Sequence, residues 1–407
     1  MASIRHLESS LPLPDRVRSL NEATFREPAK YVLYWSQMNL RTRSNHGLAY
    51  AADLANERGL PLLFYEGLTC SYPFANDRLH TFLLEGVPDT ERELRKLGAG
   101  YLFYLRRKRS DPNDVLYKLA KDAAAVVSDD YPTFVARTHN ERVPAKLDIP
   151  YFVVDSSCVV PMSKLEKREY AAYTIRPKIT KMLPKYLVEV PKIRLRRRFD
   201  EPVSDLHTPV TSSSVSSLVA SCEIDHAVAP SMSFRGGWSQ ARKHLDHFLT
   251  NKLRTYASDR NEPSKHATSG LSPYLHFGHI SSLAVALTAK AYALEHKLFA
   301  DEYLEELIVR RELAFNFARF TDDLTSLSNL PEWARKMLEK HAADPRDPVY
   351  TTEQFEQART YDDLWNATQK ELLLRGKIHG YYRMYWGKKI LEWSATPQSA
   401  VDTMVYL

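Results

Sequence analysis

The chain has 407 residues, 44% of them hydrophobic and 26% charged, so it is a globular chain too long for one ordinary core, and two domains are the default. No apolar run approaches a membrane span, and the charged, proline-containing N-terminus has no signal-peptide h-region. Three widely spaced cysteines, Cys70, Cys158 and Cys222, form neither a disulfide framework nor a zinc pattern; a soluble, intracellular, reducing setting is expected. A net charge of +6 permits a polyanionic partner without requiring one.

In chain order, residues 1–28 read as a weakly ordered arm. YVLYW (31–35) is a short apolar run of strand type. A helical pattern follows and stops at Gly59, and LPLLFYEGL (60–68) is a second buried run. The cycle repeats with YLFYLRR (101–107) and AVVSDDYP (125–132), and IPYFVVDSS (149–157) is a further strand. Strands alternating with helices imply an open parallel sheet, Rossmann-like and covered on both faces. No G-x-G-x-x-G follows the first strand, which argues against an ordinary dinucleotide grip there.

Residues 191–233 break the rhythm. KIRLRRRF (192–199) is a basic run, and LHTPVTSSSVSSLVAS (206–221) is rich in serine and threonine. The stretch reads as an interdomain linker, its charges a solvated run or a nucleic-acid contact. From Gly236 the patterns are helical throughout: QARKHLDHFLTNKLRTY, SSLAVALTAKAYALEHK, DEYLEELIVRRELAFNFARF, EWARKMLEKHA, TYDDLWNATQKELLLR and GYYRMYWGKKILEW. The expected division is an arm (1–28), an α/β domain (29–165), a connector (166–233) and an all-α domain (234–407).

Three stretches carry chemistry. In SKHATSGLSPYLHFGHIS, residues Thr268, Ser269, Gly270, Leu271 and Ser272 form a small, hydroxyl-rich turn before a helix starting at Pro273. Free N–H groups and hydroxyls there suit a phosphate or diphosphate; plain N-capping by serine explains the turn equally. In EELIVRRELAFNFARF, Glu306 and Arg310 stand one turn apart and can pair, while Arg311 and Glu312 lie among apolar residues. That helix should be buried, its charges paired or functional. GKIHGYYRMYWGKKILEW puts Trp386 and Trp393 seven apart on one helical face, and Trp365 sits on the preceding helix behind a Thr360–Asp363 capping box. The three indoles are core filler or an electron relay.

TSGLSPYLHFGHIS, EELIVRREL and GKIHGYYRMYWGKKILEW, in this order, resemble the photolyase/cryptochrome family, and more narrowly its class II cyclobutane pyrimidine dimer photolyases. YVLYWSQMNLRTRSNHGLAYA and YTIRPKITKMLPKYL resemble the same class, so the likeness spans roughly 29–407. It implies an α/β antenna domain and a helical domain that binds FAD; it leaves room for a second antenna chromophore of folate or deazaflavin type, whose identity no motif in the sequence sets. The activity it implies is light-driven repair of cyclobutane dimers by electron transfer from excited reduced FAD to a dimer flipped out of UV-damaged DNA.

By the same resemblance, Tyr256 and Thr268–Ser272 match FAD contacts. Glu306 matches the carboxyl group that bonds the dimer, Arg383 the arginine beside the flavin and Met384 the methionine against the lesion. Trp365, Trp386 and Trp393 match the tryptophans that refill the flavin, and Arg260 stands where DNA phosphates would be held. No metal is implied, and a monomer is expected. The class II pattern continues beyond Leu407 with a loop that closes the flavin pocket and supplies an acid for Arg383. The sequence therefore reads as truncated at its C-terminus. The alternatives are a cryptochrome-like photoreceptor without repair activity and an inactive, flavin-free fragment.

Overall fold

A computed structural model describes residues 13–200 and 204–407. Contacts divide the chain into two compact units. The first comprises residues up to Pro230 with Arg235–Arg254 and Ser269–Arg319; the second comprises Ser231–Phe234, Thr255–Thr268 and Phe320–Leu407.

The first unit is built on a six-stranded sheet. Its strands are β1 (Val17–Ser19), β2 (Tyr31–Ser36), β3 (Leu62–Thr69), β4 (Gly100–Arg106), β5 (Ala123–Asp129) and β6 (Tyr151–Val154), ordered β1-β6-β5-β2-β3-β4. All pairs are parallel except β1 with β6. The crossovers are α1 (His46–Arg58), α2 (Asp77–Leu97), α3 (Val115–Ala120) and α4 (Phe134–Arg142). The α/β architecture expected from alternating strands and helices is therefore present, with one antiparallel edge.

Near-continuous apolar runs are what a sheet covered on both faces requires, because alternate residues serve two cores. Val32, Tyr34, Leu62 and Phe64 enter one cluster with Leu48 and Ala52 of α1. Leu33, Trp35, Leu63 and Tyr65 enter the other with Val115 and Leu119 of α3. Asn45 caps α1 through Leu48 N, and Gly59 ends it in the left-handed region (φ 63°), as expected from its place in the sequence.

Two stretches differ from expectation. The arm expected over 1–28 contains β1, and Arg16 beside it is fully buried; residues 1–12 lie outside the described residues. The stretch expected to link domains is packed against the sheet. Ile193 and Leu195 join one core cluster, and Phe199 and Leu206 join the other. Arg197 donates to Gly59 O, at the carbonyl end of α1, where a cation is favoured. Beyond α5 (Ala172–Tyr186), its serine-rich part forms α6 (Val215–Ala220), which buries Val215, Leu218 and Val219.

The helical part of the first unit comprises α7 (Trp238–Asn251), then, beyond α8 (Tyr256–Asp259) of the second unit, α9 (Ser272–His276), α10 (Ser282–Glu295), α11 (Asp301–Leu304) and α12 (Arg311–Arg319). Between α11 and α12, Glu305–Arg310 form a π-turn. The second unit continues with α13 (Glu332–Lys340), α14 (Thr352–Glu356), α15 (Asp363–Arg375), α16 (Gly380–Trp393) and α17 (Pro397–Tyr406). All six expected helical patterns are found. Among the described residues no helix is long and apolar enough to cross a membrane.

Asp129 ends β5 where the strand order reverses, between β5 and β2. Its Oδ2 accepts the N–H groups of Gln37, Met38 and Asn39 at 2.9, 2.8 and 3.0 Å, and its Oδ1 accepts Tyr34 Oη at 2.8 Å. Nucleotide phosphates bind such a crevice in other doubly wound sheets. Here the chain's own carboxylate fills the nest of N–H groups, which gives the missing glycine motif a structural counterpart. We predict that Asp129→Ala lowers stability by about 3–5 kcal/mol, because three N–H groups lose their common acceptor. Urea unfolding checks this; a loss under about 1 kcal/mol would contradict it.

Glu312 is buried on α12. Its Oε1 accepts Val159 N at 2.6 Å and Val160 N at 3.2 Å, while Oε2 has no hydrogen-bond partner among the described residues. Burial pushes its pKa up to about 8, from an ordinary value of 4.5, against the pull of those two N–H groups. At pH values between the two, the folded chain holds a proton that the unfolded chain has released. This carboxyl group therefore costs stability increasingly as pH rises through that window. Glu312→Gln should flatten the fall in urea midpoint between about pH 5 and pH 8; parallel profiles for the two proteins would contradict the assignment.

Candidate functional site

The first unit carries the turn Ser269–Ser272 and the carboxyl group of Glu306. Gly270 has φ 69°, a conformation glycine takes freely, and Leu271 N donates to Ser269 Oγ at 3.4 Å. Helix α9 begins at Ser272, one residue earlier than expected, with Pro273 in its first turn. Among the described residues, nothing accepts the N–H groups of Ser269, Gly270 or Ser272. This donor set of N–H groups and hydroxyls suits an anionic diphosphate.

The turn is held to the sheet by close packing. Gly278 has φ 69°, and a Cβ there would sit 2.0 Å from Met38 O. Arg41 spans the same joint, donating to Gly278 O at 3.1 Å, Asn39 Oδ1 at 2.7 Å and Ser156 O at 2.6 Å. Burial pulls its pKa down to about 10, which leaves it charged at neutral pH. Two stretches singled out in the sequence, YWSQMNLRTRSNHG and GLSPYLHFGHIS, are therefore spatial neighbours.

Glu306 lies inside the π-turn, whose residues Leu307, Ile308 and Val309 are buried. Arg310, expected to pair with Glu306, has Nε 3.5 Å from Glu305 Oε1. Arg176 of α5 grips that same Glu305, Nε to Oε2 at 3.0 Å and Nη2 to Oε1 at 2.7 Å. Arg311 donates to Ser157 O at 2.6 Å.

The second unit carries Tyr256, Arg260, Thr268, Trp365, Arg383, Met384, Trp386 and Trp393. Tyr256 is buried at the start of α8, and the Arg260 guanidinium is 6.0 Å from its ring centroid. Trp365, Trp386 and Trp393 come together in one buried cluster with Phe355 and Ile390. The Trp365 and Trp386 rings are parallel within 3° at 6.4 Å; Trp393 lies 6.2 Å from Trp365 at 67°. Trp365 Nε1 donates to Trp386 O at 3.1 Å, and Trp386 Nε1 to Gln369 Oε1 at 2.9 Å. Tyr361, 63% exposed, has its ring 5.3 Å from Trp393.

Arg383 and Met384 are exposed on α16. Among the described residues, no carboxylate lies within ion-pair distance of Arg383. An unneutralised guanidinium suits an anionic neighbour. The capping box expected at Thr360–Asp363 is replaced: Asp362 accepts Trp365 N at 2.9 Å, and the Thr360 hydroxyl donates instead to Asn366 Oδ1 at 2.8 Å.

Sequence reasoning missed Asp129, Arg41, Arg176 and Glu305. Only Asp129 left a signal, as a carboxylate at the end of an apolar strand run beside the first crossover loop. Arg176 meets Glu305 129 residues away, and Arg41 reaches Ser156 and Gly278 more than a hundred residues away, so neither leaves a local pattern of these contacts.

Comparison with known proteins bears on the whole chain. The DNA photolyase family model matches residues 32–195. A deoxyribodipyrimidine photo-lyase of Methanothermobacter thermautotrophicus is 40% identical over 403 residues, covering 97% of this chain and 85% of that protein. One from Arabidopsis thaliana is 36% identical over 411 residues, covering 97% and 81%. Among solved structures, a class III photolyase from Agrobacterium tumefaciens superposes with a TM-score of 0.64 at 18% identity, covering 93% of this chain and 80% of that one. In fold and in sequence along nearly its whole length, this chain belongs to the photolyase/cryptochrome family.

Proposed function

We propose that this chain is a class II photolyase that uses light and FAD to split cyclobutane pyrimidine dimers in DNA. The observation that carries the reading is the full-length likeness to proteins named deoxyribodipyrimidine photo-lyase, which takes in both units. The side chains of each unit fit that activity chemically.

When bound, FAD supplies the light absorption and the electron that opens the cyclobutane ring. Thr268, Ser269, Gly270 and Ser272 would hold its diphosphate with N–H groups and hydroxyls, and Leu271 anchors the turn in the core. Tyr256 would contact the cofactor from α8. Arg383 would place a positive charge by the ring and favour its anionic form.

The carboxyl group of Glu306 would hydrogen-bond the flipped dimer and hold its developing charge in place. Met384, 57% exposed, would pack against the lesion. Arg260 would pair with a backbone phosphate, which positions the strand without reading sequence. Trp386, Trp365 and Trp393 are spaced for charge to hop between rings, and solvent-exposed Tyr361 stands next to the last of them.

The test is dimer loss from an irradiated oligonucleotide, in light and in darkness, by the parent chain and by Glu306→Gln. The parent should repair only in light. The variant should retain FAD and repair about tenfold less per photon, the effect of losing one charge-assisted hydrogen bond of roughly 1.5 kcal/mol. Equal repair by the two would remove Glu306 from the site. Light-driven changes in bound flavin without dimer loss would favour the photoreceptor reading.

A further inference from the structure

The helix that carries Glu306 is interrupted by a π-turn. In a π-turn each N–H reaches back five residues, so residues i and i+5 become neighbours along the helix face. Glu305 and Arg310 are five apart, and Arg310 Nε stands 3.5 Å from Glu305 Oε1. In a regular α-helix, residues five apart point about 140° away from each other. The ion pair is thus one that the π geometry makes and an α-helix would break.

The same carboxylate takes a second cation from outside the helix. Arg176 of α5 meets Glu305 fork to fork, with bonds of 3.0 and 2.7 Å. This two-point geometry fixes the plane of the carboxylate as well as its position. Leu307, Ile308 and Val309 of the turn are buried. Glu305 is therefore stapled by two guanidinium groups, and three of the turn's six residues are held in the core. Reverting to α geometry would shift the register by one residue and swing the flanking side chains by about 100°. Glu306, next to Glu305 and inside the turn, would be re-aimed by that change.

We propose that Arg176 is a positioning residue for the repair reaction: its grip on Glu305 locks the π-turn and so aims the Glu306 carboxyl group at the lesion. The inference rests on the role given to Glu306 above. Lysine cannot replace Arg176 fully, because a point charge lacks the planar fork.

The test uses the FAD-loaded protein with Arg176→Met, Arg176→Lys, Glu305→Gln and the double variant Arg176→Met/Glu305→Gln. Four quantities are read: repair per absorbed photon, affinity for undamaged DNA, thermal midpoint, and amide hydrogen exchange at Leu307–Arg310. Arg176→Met should lower repair about fivefold or more, since small misplacements of a reacting group are costly. Undamaged-DNA affinity and midpoint should stay close to the parent's, while the Leu307–Arg310 amides exchange faster. Arg176→Lys should restore part of the repair, and the double variant should do no worse than the poorer single variant. Parent-level repair in Arg176→Met overturns the proposal. So does a repair loss that tracks lost DNA affinity with exchange unchanged, which would make Arg176 a DNA contact. If the parent chain repairs nothing, the functional reading fails on its own and exchange decides the grip: faster exchange confined to Leu307–Arg310 supports it, and unchanged protection overturns it.

Discussion

A buried loop whose backbone must be satisfied organises the first unit. After β6, residues 155–160 run through the interior, where each unpaired N–H or carbonyl would carry a desolvation cost. Side chains meet that demand. Arg16 donates to the carbonyls of Asp155, Cys158 and Val159, Arg41 to Ser156 O, and Arg311 and Ser282 to Ser157 O. Glu312 accepts from Val159 and Val160, and the Asp155 carboxylate accepts from Ser157, Cys158 and Met162. These side chains come from the N-terminal edge, the first crossover, the loop itself and helices α10 and α12. One loop therefore joins the sheet to α10 and to α12, the helix that continues from the π-turn.

Charge is used here to hold backbone in place. Arg16 and Arg41 are both buried, and each points its guanidinium mainly at carbonyl oxygens. Asp129 answers with the opposite sign, drawing three consecutive N–H groups onto one oxygen. Removing either kind of group would strand polar backbone in the core, a far larger effect than losing a surface ion pair. At Ser269–Ser272, by contrast, the N–H groups of Ser269, Gly270 and Ser272 have no acceptor among the described residues, while the sheet's own crevice is already filled.

Much of the fold was legible because apolar runs and 3.6-residue patterns are local. Strands β2 to β6 and the six helical patterns follow from them. Strand β1 was hidden: Val17–Ser19 is three residues long, partly exposed, and owes its existence to pairing with β6, far along the chain. The stretch at 191–233 read as a linker because polar residues dominate it, yet Ile193, Leu195, Phe199 and Leu218 are enough to dock it. At α15 the cap fell to Asp362 and not Thr360, a one-turn choice between two good capping residues. Trp365, Trp386 and Trp393 were legible as a group because helical spacing places two of them on one face. The π-turn had no signature, since EELIVRREL fits a regular helix as well; only Arg176, 129 residues before Glu305, marks it.

Under the proposed function, FAD is the working chromophore of this chain. The direct measurement is the visible absorption spectrum of the purified protein, with the cofactor released by denaturation and quantified against protein. The expected result is a flavin spectrum with one FAD per chain, retained through gel filtration or regained when FAD is added. A correctly folded, colourless protein that takes up no added FAD would contradict it.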